Sequence, residues 1–339
     1  MNIIFWGTPD FCVPVFNEIH KSNHNILAVV TQPDRRRARG KKLCPSPIKE
    51  IAVRENIPVF TPINIKQEKE MQEKLNSYKA DLYIVIAFGQ ILPKSVLEQP
   101  LYGCWNIHAS LLPKLRGAAP IQWALINGDK KTGIGFMLME EGLDTGPILL
   151  EKTIKIDLLD NSETLSKRLS LESASLTMEA LKLIKRKNLR LNINNKTDIL
   201  SEQKKKGLGP TYARQINKTD YIIDWRSNGL TIYRKVAGLY PNAYTIFGEK
   251  RLKIYECFPL IKEFEEHLDN NILNILHDCY IEEYSPGDII EGYTNKGILV
   301  ASKDCLVLIT KAKLEGKGLN EGNSLINQIT GMSTIKRLE

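Results

Sequence analysis

The chain has 339 residues, 42% of them hydrophobic, which is enough to bury a substantial core and favours two domains over one. No apolar run approaches the ~20 residues needed to span a bilayer, and nothing at the amino terminus has the layout of a signal peptide, so a cytoplasmic protein with no membrane partner is expected. The six cysteines show no C-x-x-C spacing, and the formal charge of +8 points to a polyanionic partner.

Short β-branched runs alternate with amphipathic stretches through the first half. Asn2 to Trp6 reads as a strand, Phe11 to His20 as a helix, Ile26 to Thr31 as a strand, and Asp81 to Ala87 as another. That order predicts βαβ units and a mostly parallel sheet with helices on both faces. Gly103 to His108 continues as an interior strand, Ala118 to Ile126 as a helix, Gly133 to Met139 as a further strand, and Ser162 to Lys187 as one long helix with a basic carboxyl end. Residues 188–210 are polar and basic and close on Gly207, Gly209 and Pro210, the composition of a linker. Beyond them, short runs such as Ala243 to Phe247, Leu252 to Cys257, Gly297 to Ala301 and Cys305 to Thr310 predict a small antiparallel barrel. The acidic stretch 262–283 has no functional reading.

Asn106 and His108 end the strand at 103–108. Side chains two apart on a strand share a face, and open α/β sheets bind ligands outside the carboxyl ends of their strands. An amide and an imidazole delivered there either close the strand by hydrogen bonding or meet a substrate. Asp144, between two glycines in GLDTGP, is either an Asx-turn residue or a carboxylate for the same site. Taken together, Asn106, His108 and Asp144 suit direct acyl transfer. Amide and protonated imidazole stabilise a tetrahedral oxyanion while the carboxylate holds the imidazolium and helps protons leave the attacking amine. A nucleophilic Ser110 or Cys104 is the rival, but there is no G-x-S-x-G elbow and Cys104 is expected deep in the strand. The scattered histidines give no metal-ligand spacing, and WGTPDF after the first strand is not a dinucleotide fingerprint. The segment PDRRRARGKK, 33–42, is a basic loop, either a solvated face or a contact for phosphates.

IIFWGTPDF at 3–11, TQPDRRRARGKKL at 31–43, AFGQILP at 87–93, NIHASLLPKLRGAAPIQ from 106 and GLDTGP at 142–147, with LGPTYA and IDW later, resemble the folate-dependent formyltransferases that act on methionyl-tRNA in bacteria and organelles. The resemblance implies a Rossmann-type formyltransferase domain over 1–189, a basic linker over 190–209 and an OB-like tRNA-binding barrel over 210–339. It implies 10-formyltetrahydrofolate as donor, initiator methionyl-tRNA as acceptor, no metal, and Asn106, His108 and Asp144 as catalytic residues. Folate contacts are implied at Phe88, Gly89, Ser110, Leu111, Leu112 and Pro113, with apolar walls also from Ile91 and Leu92. Contacts to tRNA are implied at Arg36, Arg37, Arg39, Lys41 and Lys42. Here Arg36 and Arg37 stand where the resemblance leads one to expect a proline and a small residue. A monomer is expected. The alternatives are a sister formyltransferase acting on a nucleotide or amino sugar, a non-catalytic tRNA-binding module of the same fold, and a nicotinamide oxidoreductase. The first has no need of the arginine loop, the second none of an intact Asn, His and Asp set, and the third lacks its glycine fingerprint.

Overall fold

The computed structural model describes residues 1–37, 42–190, 200–203, 209–268, 284–290, 295–331 and 337–339. The chain divides into two compact units. The first comprises Met1–Ile121, Lys130–Ile156 and Thr164–Gln215, and the second Gln122–Asp129, Asp157–Glu163 and Ile216–Glu339.

The first unit is built on seven of its nine strands. In chain order these nine are β1 (Asn2–Gly7), β2 (Asn25–Val30), β3 (Arg35–Arg37), β4 (Lys42–Cys44), β5 (Val59–Phe60), β6 (Leu82–Ile86), β7 (Cys104–His108), β8 (Lys131–Leu138) and β9 (Ile148–Lys155). The large sheet has the order β5-β2-β1-β6-β7-β8-β9. Pairing is parallel as far as β7, whereas β8 and β9 run antiparallel. Strand order therefore reverses at the β1/β6 boundary, where open α/β sheets leave a crevice for ligands.

The strands form because their residues are apolar and β-branched and because both faces are covered: β6, Leu-Tyr-Ile-Val-Ile, is buried at every position. On one face Trp6 packs edge-on against Phe88 at 5.0 Å, within a cluster that includes Ile4, Val30, Tyr83, Val85 and Cys104. On the other, Trp105 stacks on Phe136 at 5.2 Å and Phe5 meets Phe16 at 5.4 Å. The helix α1 covers Val13–Lys21. The next, α2, covers Pro47–Arg54 with the Ser46 hydroxyl accepting from Lys49 N, an N-cap with proline at the first turn. The long helix is found over Ser162–Lys187, the expected span.

One expectation about a connecting segment is revised. The arginine-rich stretch is no simple loop: β3 and β4 pair antiparallel as a hairpin, Arg35 opposite Cys44, Arg36 opposite Leu43 and Arg37 opposite Lys42. An Asp34–Lys49 ion pair at 2.8 Å ties its base to α2. The segment read as a linker is, where described, hydrogen-bonded into the first unit. Ser201 exchanges backbone bonds with Ile148 at 3.0 and 2.9 Å, and Gln203 Nε2 donates to Asp144 O and Gly146 O at 2.8 Å.

The second unit carries β10 (Tyr244–Phe247), β11 (Lys250–Pro259), β12 (Ile289–Ile290), β13 (Ile298–Ala301), β14 (Leu306–Leu314) and β15 (Leu319–Glu321). They form one antiparallel half-barrel, order β10-β11-β14-β13-β12 with β15 on β14. Its core gathers Ile223, Trp225, Leu252, Ile254, Val307 and Ile309 under the helix Gly229–Gly238. The indole of Trp225 donates to Thr245 Oγ1 at 2.9 Å. Of the acidic stretch 262–283, Lys262–His267 is a short 3-10 helix that buries Phe264 completely, and residues 269–283 lie outside the described residues. Among the described residues no helix is long and apolar enough to cross a membrane.

Candidate active site

Strand β7 pairs with β6 on one side and with β8 on the other, His108 lying opposite Gly135 and Asn106 opposite Met137. The alternation of the strand then separates Trp105 and Ile107, buried on one face, from Cys104, Asn106 and His108 on the other. Only Asn106 of these last three is partly open to solvent, while His108 is 5% exposed.

Three side chains meet there. The carboxylate of Asp144 accepts from Asn106 Nδ2 at 3.4 Å through Oδ1, and its Oδ2 stands 3.6 Å from His108 Nδ1. Those two contacts are long. The bonds that hold the ring and the carboxylate are short: His108 Nε2 lies 2.9 Å from Leu115 O, and Asp144 Oδ2 accepts from Gly117 N at 2.8 Å. A carbonyl only accepts, so Nε2 carries a hydrogen and Nδ1 is left facing the carboxylate. Firm anchoring with looser mutual contacts leaves Asn106 Nδ2 and His108 Nδ1 both facing the Asp144 carboxylate.

Asp144 is not an Asx-turn residue in its carboxylate bonding, since its partners Gly117 and Asn106 lie 27 and 38 residues away. Its backbone has φ +50°, a left-handed conformation that a non-glycine residue keeps only where its surroundings impose it. Gly117 has φ +115°, and a Cβ there would come within 2.8 Å of Ala213 O. Glycine alone lets the 113–119 turn lie this close to the 211–213 backbone while aiming its N–H at the carboxylate.

The rival nucleophiles are otherwise engaged. Cys104 is 1% exposed and burial drives its thiol well above the ordinary range, which withholds the thiolate. Ser110 is 1% exposed and its hydroxyl donates to Lys114 O at 2.6 Å, closing the turn after β7. Among the described residues no three His, Cys, Asp or Glu side chains come together as metal ligands.

The residues expected to contact folate fall in different settings. Phe88 and Gly89 line a cavity of ≈ 210 Å³ at the carboxyl ends of β1, β2 and β6, together with Thr8, Gln32, Arg35 and Ser46. The Phe88 ring is core, 2% exposed, while its carbonyl accepts from Gln32 Nε2 at 3.0 Å. Leu112 is buried with Met137 and Ile148, Pro113 follows it through a cis peptide, and Leu111 packs over Gly133. Leu92 is core, whereas Ile91 is 75% exposed. Of the residues expected to contact tRNA, Arg36, Arg37 and Lys42 lie on the β3–β4 hairpin, while Arg39 and Lys41 lie outside the described residues. Sequence reasoning missed the groups that anchor the site: the Leu115 carbonyl, Gly117 N, the Thr211 hydroxyl, which accepts from Leu115 N at 2.9 Å, and Gln203 with Arg116. Backbone groups carry no residue signature, and Gln203 sits in a stretch whose composition looks like linker.

An open α/β sheet followed by a β half-barrel is also what comparison with known proteins returns. Residues 1–181 match the formyl transferase family and residues 215–330 the formyl transferase C-terminal domain, so the chain belongs to the formyl transferase family. Within it the chain is 51% identical to a methionyl-tRNA formyltransferase of Prochlorococcus marinus, over 100% of this chain and 99% of that one. It is 46% identical to a methionyl-tRNA formyltransferase of a Synechococcus species, over 97% and 96% of the two chains. Among solved structures the fold resembles the sugar 3N-formyl transferase WlaRD (TM-score 0.59, 17% identity, 94% of this chain and 99% of that one). It also resembles HypX from Aquifex aeolicus (TM-score 0.61, 15% identity, 99% of this chain), of whose length this chain spans 48%.

Proposed function

We infer that the protein transfers the formyl group of 10-formyltetrahydrofolate to the α-amino group of methionine on methionyl-tRNA, with Asn106, His108 and Asp144 as the catalytic residues. The observation that carries the residue assignment is the convergence of Asn106 Nδ2 and His108 Nδ1 on the Asp144 carboxylate, at 3.4 and 3.6 Å. In the proposed step the neutral amine attacks the formyl carbon and the carbonyl electron pair moves onto oxygen. Asn106 Nδ2 and the doubly protonated His108, through Nδ1, donate to that oxyanion. Asp144 takes a proton from the attacking nitrogen, directly or through one water. The oxyanion electron pair then re-forms the carbonyl as the bond from carbon to the folate N10 breaks, and N10 takes up the proton held by Asp144, giving tetrahydrofolate and the formamide. Charge develops only where donors already stand, and no covalent enzyme intermediate is needed.

The Ala87–Gly89 turn and the Ser110–Pro113 segment are the proposed walls for the donor, which suits a flat heterocycle bounded by apolar side chains and backbone polar groups. Arg36, Arg37, Arg39, Lys41 and Lys42 are the proposed phosphate contacts, in a stretch of sequence too polar to belong to a core. The division of labour is between a catalytic part and a carboxyl-terminal tRNA-binding part, working as a cytoplasmic monomer on the initiator tRNA. Incubating the protein with 10-formyltetrahydrofolate and methionyl-tRNA, then weighing the methionine released from the tRNA by mass spectrometry, tests the reaction. A formyl group is expected on the methionine. Formylation of an amino sugar or a glycinamide nucleotide in its place would favour the sister activity, and no formylation of any amine would leave a binding module.

A further inference from the structure

We propose that Gln203 is a positioning residue for formyl transfer, holding from outside the two turns whose backbone and side chains meet at the Asp144 carboxylate. The inference rests on the reading of Asn106, His108 and Asp144 as the reacting groups. Gln203 lies in residues 200–206, Ser-Glu-Gln-Lys-Lys-Lys plus the residue before them, between the two segments matched to formyl transferase domains. Yet it is 3% exposed. An amide from so polar a segment gains nothing by burial unless its hydrogen bonds are met inside.

They are met, and each lands next to the site. Nε2 donates to Asp144 O and to Gly146 O, both at 2.8 Å, so its two hydrogens bridge the 144–146 turn. Oε1 accepts from Arg116 Nε at 3.1 Å and Nη2 at 2.5 Å. Arg116 immediately precedes Gly117, whose N–H donates to the Asp144 carboxylate at 2.8 Å. One side chain therefore grips the backbone that orients Asp144 and the residue beside the donor that fixes its carboxylate. The Asp144 backbone at φ +50° is a conformation that must be imposed, and the bond to its own carbonyl is one of the means. Gln203 is in turn held by its neighbours, since Ser201 pairs with Ile148 through two backbone bonds. Removing the amide takes a partner from Asp144 O, Gly146 O and the Arg116 guanidinium, and frees the carboxylate to turn away from Asn106 and His108. Displacement of reacting groups by about 1 Å commonly costs on the order of 100-fold in rate.

The test is a double-variant cycle on the intact protein, read as kcat and as KM for each substrate. Gln203→Ala should lower kcat roughly 10- to 100-fold, with both KM values within about twofold of wild type, because a positioning loss falls on the transition state. Asp144→Ala alone should be slower still, and adding Gln203→Ala to it should change kcat no further, since the residue acts through Asp144. If Gln203→Ala does not fold, Gln203→Glu takes its place in the cycle. Its oxygens keep the acceptor for Arg116 but face two carbonyls without a hydrogen to give. Normal kcat in the Gln203 variant beside an impaired Asp144→Ala would overturn this inference alone, as would losses that multiply in the double variant or appear in KM. Normal kcat in Asp144→Ala would remove the site assignment, and the inference with it.

Discussion

At the scale of single residues, the site is a set of long contacts held in place by short ones. Asn106 and His108 each reach the Asp144 carboxylate at 3.4 and 3.6 Å, whereas the bonds that fix the ring and the carboxylate are 2.9 and 2.8 Å. Asn106→Ala and His108→Ala each remove one proposed oxyanion donor, which ordinarily costs 10²- to 10³-fold, about 3–4 kcal/mol of transition-state stabilisation. Steady-state kcat should fall by that factor with the circular dichroism spectrum unchanged; turnover near the wild-type value in both variants would take them out of the reaction. Gly117→Ala is the backbone counterpart. Its φ of +115° and the 2.8 Å approach to Ala213 O leave no room for a methyl group, so the 113–119 turn must shift. A loss of about 1–3 kcal/mol is expected, read from a denaturant melt, together with lower kcat because the N–H aimed at Asp144 moves with the turn. A Gly117→Ala protein as stable and as fast as wild type would mean that the turn is not held as described.

Elements explain why those residues are where they are. Strand β7 delivers Asn106 and His108 because Trp105 and Ile107 occupy the opposite face, with Trp105 stacked on Phe136. Trp105→Ala empties a fully buried site and should cost about 3–5 kcal/mol, measurable as a lower unfolding midpoint. The β3–β4 hairpin is the other decisive element. It pairs the arginine-rich arm back on itself beside the cavity lined by Arg35 and Phe88, and Asp34 ties its base to Lys49. Each phosphate contact removed should reduce the slope of log affinity against log salt by roughly 0.7–0.9. Arg36→Ala and Arg39→Ala should therefore weaken methionyl-tRNA binding and flatten its salt dependence while folate affinity holds, checked by filter binding at a series of salt concentrations. A salt slope identical to wild type would show that these side chains touch no phosphate.

For the molecule as a whole, the chain divides into two compact units, and the proposed division of labour gives them different tasks. The first unit contains every group of the proposed chemistry, and the second is a half-barrel whose strand β11 exposes Lys250 and Arg251. A methionyl ester lacking a tRNA body carries the reacting amine and none of the phosphates. Arg36→Ala and Arg39→Ala, and Lys250→Ala with Arg251→Ala, should formylate that small acceptor as fast as wild type and lose kcat/KM only on methionyl-tRNA. Equal impairment on both acceptors would move those residues from tRNA binding to catalysis or folding.

Much of this was legible in the sequence because it depends on local chemistry. Apolar β-branched runs separated by amphipathic stretches specify an α/β sheet by periodicity alone, and β1, β6, β7 and the helix Ser162–Lys187 lie where those runs do. The pairing of Asn106 with His108 follows from the two-residue repeat of a strand, and Asp144 was visible as a carboxylate between glycines. Tertiary structure decided the rest, because the remaining parts are made of backbone groups and of bonds between distant segments. No composition rule says that Leu115 O receives the His108 ring, that Gly117 N meets a carboxylate 27 residues on, or that β3 and β4 pair instead of forming a loop. Least legible of all was Gln203. Its burial among basic neighbours has no local cause, and only the folded chain brings Asp144, Gly146 and Arg116 close enough to satisfy its amide.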